Sequence, residues 1–434
     1  MGMARTRLYP PSVDPGFPEL PETPPGWRQT TFGEVLEVVE RPVKLEPDKT
    51  YRLVNAKRSR GGITLRSELP GREILTKTQF EAKAGDFLIS RRQIIHGACG
   101  VVPDDLDGAV VSNEYSTLKP RPALSLDFLR HYSHTAYFQR TCFHSSHGVD
   151  VEKMIFKIAE WLVRRMDLPP PPEQRKIAAI LSSVDDAIEF TQAVIGQLGV
   201  LKKAMMAELL TRGLPGRHTR FKETEIGELP EEWEVLPIER VIDFCDYGLS
   251  KSLSVQPARV AVLRMGNLAG GHVVLDDLKY IDSSEVNTDL LLVPGDVLFN
   301  RTNSKDLVGK VGVFGGASFN VSFASYLLRL RPSPPHSGEW LGAVMNLESN
   351  QAALRAMATP GVSQVNINRG KMVAMKVPVP PPDEQRDLMA VLSGLDERLA
   401  TERAVLSQVA AVKSALMSVL LTGEVRVKPD GEAA

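Results

Sequence analysis

Hydrophobic positions in this chain follow two kinds of pattern, and the two alternate twice along its length. Short apolar or alternating runs such as VVLDDLKYI, DVLFNR and YLLRLRP, bounded by Gly, Asn, Asp and Pro, predict β-strands. Longer periodic pieces at 128–139 and 338–357 predict helices. Two further stretches keep a four–three spacing for about five heptads, the signature of a coiled-coil seam. The first seam is Ile177, Leu181, Val184, Ile188, Thr191, Ile195, Leu198, Lys202, Met205 and Leu209. The second is Leu388, Leu392, Leu395, Leu399, Glu402, Leu406, Val409, Lys413, Leu416 and Leu420. Both are interrupted at the same two places, by Thr191 and Glu402 and by Lys202 and Lys413. Polar residues in a seam cost stability but fix register and partner. A helix of about 38 residues is a rod of about 57 Å. Each helix could pack only on its own globular neighbour; two matched seams in one chain favour pairing with each other.

The long helices open on the same words. Pro169-Pro170-Pro171-Pro172-Glu173-Gln174-Arg175 returns as Pro380-Pro381-Pro382-Asp383-Glu384-Gln385-Arg386, 211 residues later, and both helices end in Leu-Leu-Thr. Leu181/Leu392, Asp185/Asp396, Lys202/Lys413 and Leu209/Leu420 keep that offset without a gap. A period this long marks two halves built on one plan, not a solenoid. Proline is tolerated at a helix start, and Glu173 and Glu384 in the first turn suit the helix dipole. Fainter echoes precede each helix: Trp27 and Trp233, Gly85-Asp86 to Arg91 and Gly295-Asp296 to Arg301, Val111-Ser112 and Val321-Ser322. Arg52-Leu53-Val54-Asn55 likewise answers Arg264-Met265-Gly266-Asn267, each followed by a Gly-Gly pair. The expected domains are a proline-rich arm (1–23), a globular domain (24–168), a helix (169–213), a linker (214–227), a second globular domain (228–378), a second helix (379–423) and a tail (424–434).

Composition changes this picture little. The 434 residues are 43% hydrophobic and 24% charged with a net charge of −1, the profile of a globular protein large enough for several cores. That balance excludes a uniformly basic nucleic-acid binder but not a locally basic face. No unbroken run of eighteen apolar residues suggests a membrane span, and no apolar leader opens the chain. Cys99, Cys142 and Cys245 are odd in number and far apart, which points to free thiols and a cytoplasmic setting.

Catalytic motifs are missing. The sequence has no phosphate-cradling Gly-x-x-x-x-Gly-Lys-Ser/Thr, no Gly-x-Gly-x-x-Gly, no Asn-Pro-Pro-aromatic loop and no Gly-x-Ser-x-Gly elbow, so the expectation is a non-catalytic chain. His131, His134, Cys142, His144 and His147 crowd one stretch but match no tetrahedral zinc spacing, and the expectation is no metal. The positive signal is local charge with amides between. From Arg52 to Arg92 ten Lys/Arg face four acids. The candidate contacts for nucleic acid are Arg52, Asn55, Lys57, Arg58, Arg60, Arg91, Arg92, Ser146 and His147 in the first half. In the second they are Arg264, Asn267, Arg301, Asn303, Lys305, Ser363, Gln364, Asn366 and Arg369. These residue types fork onto base edges and phosphates. Candidates for coiled-coil pairing or subunit docking are Glu173, Gln174, Leu181, Asp185, Lys202 and Leu209, with Glu384, Gln385, Leu392, Asp396, Lys413 and Leu420.

The doubled Pro-Pro-Pro-x-Glu-Gln-Arg helix, Gly-Glu-Leu-Pro-Glu-Glu-Trp (227–233), Gly-Asp-(Phe/Val)-Leu-x-x-Arg and the loop from Gly361 to Ile367 together resemble the specificity subunit of a type I restriction-modification system. The resemblance covers about residues 24–423. It implies an α+β fold with two similar globular target-recognition domains separated by two long antiparallel coiled-coil helices, a pseudo-twofold internal duplication. It also implies a chain that reads a bipartite, asymmetric site in double-stranded DNA. Two methyltransferase subunits and restriction/translocase subunits would dock on it. No cofactor is expected on this chain; S-adenosylmethionine, ATP and Mg would sit on the partners. A coiled-coil protein scaffold, or the DNA-reading part of a related methylation-based phage-defence complex, are the other readings.

Overall fold

The computed structural model describes residues 13, 16–257, 259–361 and 364–428. The chain forms two compact units, Met1–Thr191 with Val405–Ala434, and Gln192–Ala404. Each unit holds one globular head and a stretch of each long helix.

In the first head, strand Arg28–Thr31 pairs antiparallel with Arg165–Leu168, so the chain leaves beside where it came in, just ahead of the long helix. A four-stranded sheet runs in the order Leu36–Val38, Tyr115–Pro120, Phe87–Ser90 and Cys99–Val101. A five-stranded sheet runs Pro42–Val43, Gln79–Ala82, Ala109–Ser112, Thr50–Ala56 and Ile63–Pro70. The core is aromatic: Phe32 stacks on Trp161 at 4.0 Å, and Phe138 meets Trp161 edge-on at 5.3 Å. Ile177 and Leu181 of the first long helix, with Leu420 at the end of the second and Leu421 just beyond it, are buried in the same cluster. Each such side chain contributes roughly 1.5–3 kcal/mol by burial, which ties the helices to the head.

The second head repeats the plan. Glu234–Pro237 pairs with Lys376–Val379 at its base. Its larger sheet runs Ile242–Tyr247, Leu327–Pro332, Val297–Asn300 and Val311–Val313, then two short strands, His272–Val273 and Leu268–Ala269. In a second sheet Val260–Leu263 lies between Lys279–Ile281 and a parallel partner, Asn320–Phe323, as Thr50–Ala56 lies between Ile63–Pro70 and the parallel Ala109–Ser112.

Registers correct one sequence echo. Leu53 lies opposite Val110 and Val260 opposite Asn320, so Arg264 corresponds to Lys57 and not to Arg52. Both predicted head helices are broken in two. Leu126–Tyr132 gives way to Ala136–His144 where Thr135 accepts from the Phe138 N–H at 3.2 Å and starts a new helix. Gly338–Met345 stops at Asn346, whose amide donates back to the Gly342 carbonyl at 2.9 Å, and Glu348–Ala356 follows. VVLDDLKYI is a strand only at its ends. Its middle is held open by Asp277 at φ 45° and by the Asn267 amide, which takes the Val274 and Asp276 carbonyls.

The long helices are Pro171–Arg212 and Pro382–Leu420. All the seam positions named from the spacing are buried or half-buried. Within the first unit Asp185 pairs with Lys413, and within the second Lys202 pairs with Asp396. With Leu181 beside Leu420 in one core and Leu209 beside Leu388 and Leu392 in another, the paired stretches in each unit run antiparallel at one register. By length and composition the second long helix could also cross a membrane, with a mean hydropathy of 1.3 over its most apolar window. Leu420 in a head core and the Lys413–Asp185 pair give its inner face a different use.

Candidate nucleic-acid interface and helix junctions

Each head is locked to the start of its helix by the same carboxylate. The Trp27 indole donates to Glu173 at 3.1 Å and the Trp233 indole donates to Glu384 at 2.9 Å; all four side chains are buried. A further partner arrives from the segment behind the other long helix. Arg426 forks onto Glu173 at 2.7 Å, and His218 meets Glu384 at 2.7 Å with Arg217 bridging Asp383 and Asp387. The glutamines beside these glutamates work the same way. Gln174 donates to the Pro169 carbonyl at 2.8 Å and Gln385 to that of Pro380 at 2.9 Å. Gln174 also accepts from the Ser125 N–H at 2.7 Å. Glycine is required where each long helix stops. Gly213 and Gly423 have φ of 77° and 73°, and a Cβ at Gly213 would lie 2.7 Å from the Glu384 carboxylate.

A second shared feature lies midway along the helices. Asp185 is met by Lys413 and by His131 at 3.8 Å; Asp396 is met by Lys202 and by His272 at 3.5 Å. Burial would raise the Asp396 carboxyl, but hydrogen bonds from His272 and Lys202 outweigh it and hold it below the usual range. Burial pushes the His131 imidazole down to about 4, against the pull of Asp185.

On the heads, Arg91 and Arg301 occupy one structural station. Each follows the strand that ends in Ser90 or Asn300. The Arg91 N–H donates to the Glu114 carbonyl at 2.8 Å and the Arg301 N–H to that of Tyr326 at 3.1 Å. The Arg91 carbonyl accepts from Phe156 and the Arg301 carbonyl from Ile367, both at 2.8 Å. Those bonds seat small β-structures beside the arginines, Ser146–His147 with Ile155–Phe156 in the first head, and Thr302–Asn303, Val365–Asn366 and Thr359–Pro360 in the second. Both guanidinium groups have a buried Nε without a partner, and no carboxylate among the described residues forms an ion pair with either.

Around Arg91, the hairpin tip with Ser59 and Arg60 at positive φ docks on the turn at Ile94–His96 through Ser59 N–H to the His96 carbonyl at 2.7 Å. Lys57 and Arg60 are exposed there, and Arg58 reaches Gln93 and Glu152. Next to Tyr326, the backbone partner of Arg301, a cavity of about 550 Å³ is lined by Lys251, Arg264, Tyr326 and Gln364 among others. Lys305 and Arg369 are exposed on the same head. Two heads with cations and amides displayed from equivalent loops can grip a polyanion.

No family model matches the sequence. It is 28% identical over 285 residues to the Type I restriction enzyme MjaVIII specificity subunit of Methanocaldococcus jannaschii, covering 64% of this chain and 65% of that protein. It is 22% identical over 307 residues to the Type I restriction enzyme EcoKI specificity subunit of Escherichia coli, covering 70% of this chain and 66% of that one. The match thus spans just under two thirds of each relative's length. A solved chain described in connection with complex assembly and conformational transition of the type I R-M system superposes with a TM-score of 0.59 at 17% identity, over 93% of this chain and 100% of that one. The chain is a relative of the type I specificity subunits. Its fold is theirs: two heads of one topology on paired long helices.

Within this type I specificity-subunit fold the named candidates separate into distinct groups. Ser146 is buried and donates to the Cys142 carbonyl at 2.8 Å, and Asn267 is buried with its amide and carbonyl used in its own loop. Neither offers an atom to a ligand, because short polar side chains in loops satisfy the backbone first. Arg52 spends its fork on the Asp105 and Asp107 carbonyls, Asn55 accepts from Thr64, Arg92 pairs with Glu114 and His147 with Glu160. Arg264 is held by Asp277 at 2.7 Å. Asn303 accepts from Ser304, Asn366 sits on the small sheet, and Ser363 lies outside the described residues. Glu173, Gln174, Glu384 and Gln385 are internal locks with no exposed docking face. Leu181, Leu209, Leu392 and Leu420 are core, while Asp185, Lys202, Asp396 and Lys413 are the ion pairs. Sequence reasoning missed Trp27, Trp233, Arg217, His218 and Arg426 as junction partners; the Trp echo was the available signal. It also missed Tyr247 and Tyr326 beside Arg301. The histidine cluster disperses: His131 faces Ser182, His144 lies against Phe17 and Phe143, and the Cys142 thiol is pushed up by burial. Among the described residues no group of three or more His, Cys, Asp or Glu could hold a metal.

Proposed function

We propose that this chain is the DNA-reading specificity subunit of a type I restriction-modification enzyme. Each head recognises one half of a split, asymmetric site in double-stranded DNA, and the paired helices fix the spacing between the halves. The chain itself is non-catalytic. Two methyltransferase subunits dock along it, restriction/translocase subunits join them, and S-adenosylmethionine, ATP and Mg are held by those partners in the cytoplasm. The observation that carries this reading is the internal match: two heads of one topology but different loop chemistry, each locked to its helix by Trp and Glu at a 211-residue repeat. Similar heads with unlike surfaces suit two unlike half-sites better than a palindrome.

Methylome sequencing of a host carrying the chain with its methyltransferase tests it. The expected result is one bipartite motif with unlike halves and a fixed gap, absent when the chain is deleted. A palindromic or undivided motif would reject the two-head reading. Binding of the purified chain to random duplex should weaken steeply with salt through counterion release; a salt-independent interaction would favour a protein scaffold instead.

A further inference from the structure

We infer that the second head reads a guanine edge with Arg301 and that Tyr247 is the residue holding its fork in position. The inference rests on the DNA-reading role proposed above. The Arg301 guanidinium lies over the Tyr247 ring, 5.1 Å from its centroid, while its backbone N–H is fixed to the Tyr326 carbonyl. Tyr247 and Tyr326 are 44% and 48% exposed, so the ring under the arginine is accessible, and Tyr326, whose carbonyl holds the arginine's backbone, lines the neighbouring cavity. The two cations that line that cavity are engaged: Arg264 by Asp277, and Lys251 by Glu285 at 3.7 Å. Among the described residues no carboxylate pairs with the Arg301 guanidinium, and its stacking partner is Tyr247.

The first head lacks this arrangement at the same station. Val38 lies opposite Leu118 and Cys245 opposite Leu330, so Glu40 corresponds to Tyr247. The backbone bonds of Arg91 and Arg301 equate Glu114 with Tyr326. Two acids in one head therefore replace two tyrosines in the other. A guanidinium stacked on an aromatic face keeps its planar edge open and loses little freedom on binding. That edge matches the O6 and N7 acceptors that guanine shows in the major groove. A phosphate contact needs no such planar support, since a point charge serves it.

The test is binding of the full chain to duplexes carrying its motif, with every base pair changed in turn and each guanine replaced by 7-deazaguanine. One guanine of one half-site should be essential in the wild-type chain, and 7-deaza replacement there should cost about 10-fold or more in affinity. Arg301→Lys should lose a similar factor on the native site and then be indifferent to the 7-deaza change, with the other half-site read as before. Tyr247→Ala should blunt discrimination at that same position, and Tyr247→Phe should restore it; thermal melting confirms that each variant is folded. Uniform weakening of Arg301→Lys across all sequences, with a shallower salt slope, would make Arg301 a phosphate contact and overturn the inference while leaving DNA reading intact. A wild-type chain with no sequence preference at all would overturn both.

Discussion

Glu384 shows why the shared Glu-Gln-Arg word is kept at both junctions. A buried carboxylate is costly unless it is fully bonded, and here an indole, an imidazole and a nearby guanidinium share it. Removing the acid strands three donors, whereas removing Arg217 costs mainly exposed ion pairs. His131 carries the sharper consequence for pH. It faces Ser182 at 3.1 Å, Asp185 and Lys413 from the helices and Arg130 and Asp127 from its own, and burial pushes it down to about 4. An imidazole whose folded pKa is depressed binds fewer protons folded than unfolded at mildly acidic pH, so stability falls as pH drops. The loss begins near the unfolded value of about 6.5, is complete near the folded value, and amounts to roughly 3 kcal/mol. We expect urea midpoints, followed by tryptophan fluorescence at pH 7, 5.5 and 4.5, to fall more steeply for the wild type than for His131→Gln. Parallel pH curves for the two proteins would show that His131 does not report burial in this way.

At the scale of elements, the Lys–Asp pairs decide how the helix stretches meet. Each lysine replaces an apolar seam residue, and each is half-buried against an aspartate of the other helix. Such a pair adds modest stability but penalises every other register, in which a lysine would face leucine. Lys413→Asp should therefore destabilise the first unit by about 1–3 kcal/mol, and adding Asp185→Lys should recover most of that loss. Thermal melting of the two singles and the double closes the cycle; additive losses would mean the pair does not set register. The seams were legible in the sequence because a 3.5-residue period survives any tertiary context, and every seam position read from it is at least half-buried. The lysines were legible as interruptions, but their aspartate partners, about 200 residues away in sequence, were not. The same limit hid Trp27 against Glu173, and it let Asn267 and Ser146 pass as surface readers when their loops needed them inside. Arg301 was legible as a cation after Gly-Asp-x-Leu, but the tyrosines that distinguish it from Arg91 come from another strand and from a turn distant in sequence.

For the whole molecule, the helix span between the two ion pairs is the part that can be changed without touching either head. Asp185 and Lys202 bound it on the first helix, Asp396 and Lys413 on the second, and no head-core residue lies between them. Deleting a heptad from one helix alone would leave its lysine or aspartate opposite the wrong neighbour, so the predicted outcome is misfolding and not a new ruler. Deleting seven residues from each span together returns every seam residue to its face and keeps both ion pairs. Such a matched deletion shortens the rod by about 10.5 Å at 1.5 Å per residue. That length corresponds to about three base pairs at 3.4 Å each. Methylome sequencing of a strain carrying the matched deletion should then return the same two half-sites with a gap about three base pairs shorter. An unchanged gap in a folded, active complex would mean that the spacing is measured by the partner subunits and not by these helices.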